Sequence, residues 1–151
     1  MLRQQFNEAL KTAMLAKDSR TVSTVRLIVA ALKDRDIAAR PRGVIDGIPD
    51  DEILQMLSQM VKQRRESITL YEQGARLDLA QQETEEIEII SRFLPKQMSE
   101  AEMTAAVKSV LGEIDAKSLK DMGRAMAVLK ERFSGSMDFT KASAIVKAQL
   151  G

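Results

Sequence analysis

Two groupings of charged residues stand where recognition chemistry would need them. The first is Lys120-Asp-Met-Gly-Arg-Ala-Met126, in which Lys120, Arg124 and Ala127 share one side of a helix, Gly123 lies beside them, and Leu119, Met122, Met126, Leu129 and Phe133 share the other. A Gly within a helix costs up to about 1 kcal/mol relative to Ala, so something is expected to use its missing side chain. Either a neighbouring helix packs there, with Lys120 and Arg124 merely solvated, or the backbone of a ligand approaches. Two cations flanking a bare patch suit a run of RNA phosphates, and Lys120, Gly123 and Arg124 are therefore the candidate RNA-binding residues.

The second grouping joins Arg64, within Lys62-Gln-Arg-Arg-Glu-Ser67, to Glu83 and Glu86 of the acidic run Glu83-Thr-Glu-Glu-Ile-Glu88. At about 100° per residue, Arg64 falls inside the apolar stripe Ile53, Leu57, Met60, Val61, Ile68 and Tyr71, and Glu83 inside the stripe Leu79, Ala80, Ile87, Ile90 and Leu94. Antiparallel pairing of these segments across a turn at Gly74 would bring Arg64 within about a helical turn of both glutamates. A charge on an apolar face costs several kcal/mol unless it is matched. A structural ion pair is thus expected in preference to a ligand contact, and loss of Glu83 is expected to destabilise the fold.

Other chemistries drop out by composition. The 151 residues include no Cys, no His and no Trp, and only 1 Tyr and 4 Phe. Without His or Cys there is no Ser-His-Asp triad, thiol nucleophile or nitrogen- and sulfur-ligated zinc site. So few aromatics leave no platform for stacking single-stranded bases. The acidic run lacks the spacing and Gly turn of a calcium loop and reads as a helix face. The 9 Met residues read as packing filler. No Gly-rich phosphate cradle or nucleophile elbow occurs. No catalytic residue, metal or cofactor is therefore assigned.

Lys plus Arg number 23 against 22 Asp plus Glu, so any nucleic-acid binding has to be local rather than chain-wide. The charge is unevenly spread, being −1 before Pro95 and +2 from Pro95 onward. No apolar run is long enough to span a bilayer and the first residues lack a signal-peptide core. A soluble, cytoplasmic protein with no membrane partner is expected.

The elements that must carry these groups are helical throughout. Apolar spacing gives a first helix from about Leu2 to Lys17 carrying Leu2, Phe6, Leu10, Ala13, Met14 and Leu15, and a second to about Ala39, capped by Asp18 or Ser19. A loop over residues 40–49 precedes a third helix capped by Asp50 and ending near Gln73, where Gly74 can take the left-handed conformation. A fourth runs from about Leu77 to Leu94 and stops at Pro95. Three shorter helices follow, marked by capping boxes at Ser99/Glu102 and Ser118/Asp121, by Gly112 and Gly135 at helix ends, and by Asp138 before a last helix over about Phe139–Leu150. The pattern predicts an all-α protein: an antiparallel N-terminal four-helix bundle over residues 1–94 and a small C-terminal three-helix domain over 95–151, with a hinge near Pro95.

Taken in order, Thr21-Val-Ser-Thr-Val-Arg-Leu-Ile-Val-Ala-Ala-Leu-Lys-Asp34, Lys62-Gln-Arg-Arg-Glu-Ser-Ile68, Tyr71 through Gly74, Arg76-Leu-Asp-Leu79, Phe93-Leu-Pro-Lys-Gln-Met98 and Lys120-Asp-Met-Gly-Arg124 resemble the GatB/YqeY family. Phe93 and Arg124 stand where Tyr and Lys are common in that pattern, and both keep the side-chain class. YqeY proteins are stand-alone relatives of the C-terminal tail of GatB, the tRNA-handling subunit of the glutamyl-tRNA(Gln)/aspartyl-tRNA(Asn) amidotransferase. The resemblance implies an all-helical fold in two parts and kinship to a tail that grips tRNA, with the helix from Lys120 to Arg124 as the possible RNA contact. It implies tRNA or an aminoacyl-tRNA-handling protein as partner. The family label is amidotransferase-like, a carbon–nitrogen ligase activity with glutamine as amide donor. Amide transfer needs an activating site and a nucleophile that this chain does not supply, so an accessory tRNA-binding-type module is expected, with a protein–protein adaptor as the alternative.

Overall fold

Seven α-helices and no strands make up the computed structural model, which describes residues 1–151. They divide into two compact units, Met1–Leu94 and Pro95–Gly151.

In the first unit α1 (Leu2–Leu15), α2 (Ser19–Ala39), α3 (Asp50–Gln73) and α4 (Leu77–Ser91) surround one core, with a 3-10 turn at Arg40–Arg42. Phe6, Val25, Ile28, Ile53, Met56, Leu57 and Ile90 are each at most 1% exposed. Their spacing explains the helices: a residue returns to the same face every three or four positions, so each helix offers one apolar stripe to the others. Phe6 meets Phe93 edge to face, ring centroids 4.9 Å apart at 79°, which joins α1 to the turn after α4. Such pairs contribute roughly 1 kcal/mol beyond their buried area.

Several boundaries differ from the sequence reading for local physical reasons. α1 ends at Leu15, and its Met14 and Leu15 are 52% and 86% exposed rather than in the core. Asp18, not Ser19, caps α2, its carboxylate accepting from the Thr21 N–H and hydroxyl. Asp50 does not cap α3: Pro49 holds that position, and the Asp50 carboxylate instead accepts from the Leu2 N–H at 3.4 Å. Gly74 keeps a negative φ, and the left-handed residue of the α3–α4 turn is Ala75 at φ 56°. α4 ends at Ser91, after which residues 92–94 continue as turns. The stripe of α4 also includes Ile89, 4% exposed.

The loop after α2 is fastened by a group that the sequence reading did not single out. Arg3 forms a two-pronged pair with Asp36, Nη1 to Oδ2 at 2.7 Å and Nη2 to Oδ1 at 2.8 Å. Nη2 also donates to the Ile48 carbonyl at 2.9 Å, while the Ile48 N–H donates back to Asp36 at 2.9 Å. Gly47 is required here twice over. Its φ is +96°, and a Cβ would stand 2.5 Å from Arg3 Nη2.

In the second unit α5 (Glu100–Glu113), α6 (Met122–Phe133) and α7 (Phe139–Leu150) pack pairwise around Val107, Val110, Ala125, Leu129, Ala142 and Val146, all at most 1% exposed. Ser99 and Glu102 form a reciprocal capping box on α5, and Asp138 caps α7 through the Thr140 and Lys141 N–H groups. Gly112 does not end α5. Asp115, at φ 52°, takes the left-handed position after it, whereas Gly135 does so after α6 at φ 81°. The entry into α5 is tied down within its own unit, since Gln97 donates to the Gly135 carbonyl at 2.6 Å and the Met98 N–H to the Ser136 carbonyl at 2.8 Å.

Candidate functional site

The segment carrying Lys120, Gly123 and Arg124 begins with a tight 3-10 turn, Leu119–Asp121, and only then becomes α6. Asp121 builds this corner. Its carboxylate accepts from the Lys117 N–H at 2.9 Å and the Ser118 N–H at 3.4 Å, and its other oxygen accepts from Arg124 Nη2 at 3.0 Å. Those backbone donors, with Arg124 adding its charge, hold the Asp121 carboxyl below the ordinary carboxylate range.

Gly123 therefore lies in the first turn of α6 rather than in mid-helix, and the expected helix does not run unbroken from Leu119. Leu119 is 50% exposed, not on the inner face, because the 3-10 turn rotates it out; Ala125 and Leu129 supply the fully buried contacts. The outer face is as expected, with Lys120, Gly123, Arg124 and Ala127 all exposed. A methyl group on Gly123 would meet nothing within 4 Å. Packing by a neighbouring helix is thereby removed as the reason for a Gly at this position. What remains is an open patch of bare backbone on a convex helix, bordered by one guanidinium already paired to Asp121 and by one exposed ammonium.

Arg64, Glu83 and Glu86 come together where α3 and α4 run antiparallel. Arg64 Nε donates to Glu86 Oε2 at 3.0 Å and stands 3.9 Å from Glu83 Oε2, while Nη1 donates to the Met60 carbonyl at 3.2 Å. The side chains of Arg64, Glu83 and Glu86 are 14%, 20% and 9% exposed. The acidic run is thus not one solvated face, for these two members turn inward. Burial is the first cause pushing the Glu83 carboxyl above the ordinary glutamate range, and the adjacent Glu86 is the second; Arg64 opposes both. The cluster is partly buried between the two helices.

A shallow cleft of about 240 Å³ lies between α1 and α2, floored by Phe6, Val29 and Leu32 and rimmed by Arg3, Lys33 and Asp36. Arg3 and Asp36 spend their hydrogen bonds on each other and on Ile48, so the rim is structural. Neither residue carries a local signal in the sequence, because they are 33 positions apart; the need for a positive φ at Gly47 is the only nearby hint.

With the geometry in place, comparison with known proteins decides the family. Residues 3–150 match the family described as Yqey-like protein. The chain belongs to the YqeY family. It is 34% identical over 107 residues to Altered inheritance of mitochondria protein 41, mitochondrial, from Lachancea thermotolerans, covering 70% of this chain and 55% of that protein. The protein of the same name from Saccharomyces cerevisiae is 28% identical over 130 residues, with 73% and 68% covered. That from Candida glabrata is 27% identical over 128 residues, with 73% and 69% covered. The chain thus spans little more than half the length of the Lachancea protein that it matches.

These relatives correct the expected cytoplasmic location, since each is named as a mitochondrial protein. The expectation rests on the lack of a membrane-spanning run and of a signal-peptide core. No helix is long and apolar enough to cross a membrane, but that property does not separate one aqueous compartment from another.

Proposed function

We propose that this YqeY-family chain is a non-catalytic binding module that recognises tRNA through its backbone, in the manner of an accessory factor for glutamine-dependent aminoacyl-tRNA amidotransfer. In this reading the first unit is an antiparallel four-helix bundle serving as scaffold, and the three-helix unit carries the contact. The observation that supports it best is the patch around Gly123: exposed backbone between Lys120 and Arg124, with no part of the protein filling the space. Bare backbone leaves room for a phosphate to approach closely, and Lys and Arg supply the charge. Arg124 would exchange its pair with Asp121 for one with a phosphate. Without aromatic residues on this face, the module would read shape and backbone rather than unstacked bases.

The test is fluorescence anisotropy with total tRNA against a duplex-RNA control across a salt series. Each phosphate contact contributes roughly 0.7 to 0.9 to the slope of log affinity against log salt. Lys120→Ala/Arg124→Ala should reduce the slope by up to about twice that value. A salt-independent affinity, or a slope unchanged in the double mutant, rejects the reading.

A second reading, a protein adaptor without RNA, is favoured by one observation, the exposure of Met14 and Leu15 at the end of α1. A partner helix docking there would bury them. Copurification of a stoichiometric protein free of RNA, lost on Leu15→Glu, would support it.

A further inference from the structure

The inward-facing carboxylates on α4 outnumber their cation. Arg64 meets Glu86 at 3.0 Å with its Nε and gives Nη1 to the Met60 carbonyl, so Glu83, at 3.9 Å, is left without a full hydrogen bond from the guanidinium. On α2, Arg20 is held by Glu85 at 3.1 Å. On α3, Lys62 and Arg65 flank Arg64 at exposed positions. Among charged groups, Glu86 and Arg64 are the ones that act on Glu83.

The position of this cluster gives it leverage. Buried residues of the main core stop at Val61 on α3 and resume at Ile89 on α4. Beyond them, residues 62–73 and 77–85 form a two-helix arm in which Ala80 is the one buried apolar residue and Ile68, Tyr71 and Leu79 are half-buried, while Leu70 and Leu77 are 67% and 69% exposed. The three charged side chains sit at the root of that arm. Segments with so few buried contacts open locally at low free-energy cost.

We propose that Glu83 holds a proton beside Glu86 and Arg64 at the root of the α3–α4 arm, and that release of this proton loosens the arm. With the proton in place, the cluster is one carboxylate, one carboxylic acid and one guanidinium, which is neutral. Without it, two carboxylates face one guanidinium at side-chain exposures of 20% and 9%. Like charges in a shared, partly buried site disfavour joint ionisation.

The sign follows from linkage. Glu83 binds its proton more tightly in the folded arm than in the opened one, so the stabilisation is fully present below the ordinary glutamate value of 4.5 and is lost as pH rises from there to the midpoint of Glu83 itself. The other perturbed carboxyls, Asp18, Asp36, Asp78, Glu102, Glu113 and Asp121, are all shifted downward, so their linkage to folding has the opposite sign to that of Glu83.

The experiment is native-state amide hydrogen exchange of the full chain, corrected for intrinsic rates, with Glu83 side-chain carboxyl titration by NMR alongside. Protection of amides 65–72 and 79–84 should fall as pH rises above 4.5, by about tenfold for each unit that separates 4.5 from the NMR midpoint, while amides around Ile53 and Leu57 hold constant. Glu83→Gln keeps a neutral donor to Glu86 and should abolish that pH dependence while retaining the acid-side protection. In Glu86→Gln the Glu83 midpoint should move down, because the like charge is gone and Arg64 remains. A wild-type midpoint at or below 4.5, unchanged pH dependence in Glu83→Gln, or an arm loosened by Glu83→Gln at every pH overturns the proposal, the last outcome restoring a plain ion pair.

Discussion

Replacing Gly123 separates the two explanations for a Gly in α6 with opposite signs. The position has ordinary helical geometry, open space where a Cβ would project and no neighbour within 4 Å. Gly123→Ala therefore loses nothing by steric contact and gains helix propensity. The full mid-helix difference is about 1 kcal/mol, and a first-turn position realises about half of that or more. For a unit as small as residues 95–151, about 0.5–1 kcal/mol raises the midpoint of thermal unfolding by roughly 2–8 °C. The assay is thermal unfolding by circular dichroism and calorimetry, paired with tRNA anisotropy at low salt. Stability should rise while affinity falls, and Gly123→Leu should remain folded while losing at least about a 1.4 kcal/mol share of affinity, a factor of ten. A lowered midpoint in Gly123→Ala would refute the open patch. An unchanged affinity in a folded Gly123→Leu would remove Gly123 from the interface.

Three further outcomes test other parts of the fold. Gly47→Ala forces a side chain into a φ of +96° and against the Arg3 guanidinium, and should cost about 1–3 kcal/mol in urea unfolding. Thr24 is fully buried with a hydroxyl that meets no partner, so the isosteric Thr24→Val should stabilise by about 1 kcal/mol, measured the same way. The Arg3 guanidinium, and after it the Ile48 N–H, hold the Asp36 carboxyl below its ordinary 3.8. The stability this contributes is present above 3.8 and is lost as pH falls towards Asp36's own midpoint, so Asp36→Asn should unfold more easily at neutral pH and show a shallower acid transition.

What the sequence discloses and what it hides divide along physical range. Helix identity was legible because a three- to four-residue apolar period is written locally, and so were caps that act over three residues, such as Asp18 to Thr21 and Ser99 to Glu102. Arg64 and Glu83 were legible because charges inside apolar stripes must find partners, and Glu86 because antiparallel pairing across the turn puts it within about a helical turn of Arg64. Glu83's poorer share of the guanidinium, at 3.9 Å, was not, since it depends on tenths of an ångström in helix rotation. Helix ends were misplaced wherever tertiary contacts outbid a local signal: Asp50 is recruited by the Leu2 N–H, and Ala75, not Gly74, takes the left-handed turn. The Arg3–Asp36–Ile48 clamp spans 45 positions and leaves no local pattern. Gly123 was visible as an oddity, but only the folded arrangement shows that nothing packs there.

The contact between Phe6 and Phe93 has a bearing on how the chain is made. The ring that anchors the first helix meets its partner only after nearly the whole first unit has been synthesised. A nascent chain halted before Phe93 would display Phe6 and the stripes of α2 and α3 without their last cover. Domains generally fold as units during synthesis, and here the unit is completed by its final residues. Release of Phe93 and Leu94 from the exit tunnel is therefore the event that closes the core, and ribosome-bound chains stalled on either side of that point should differ sharply in protease resistance.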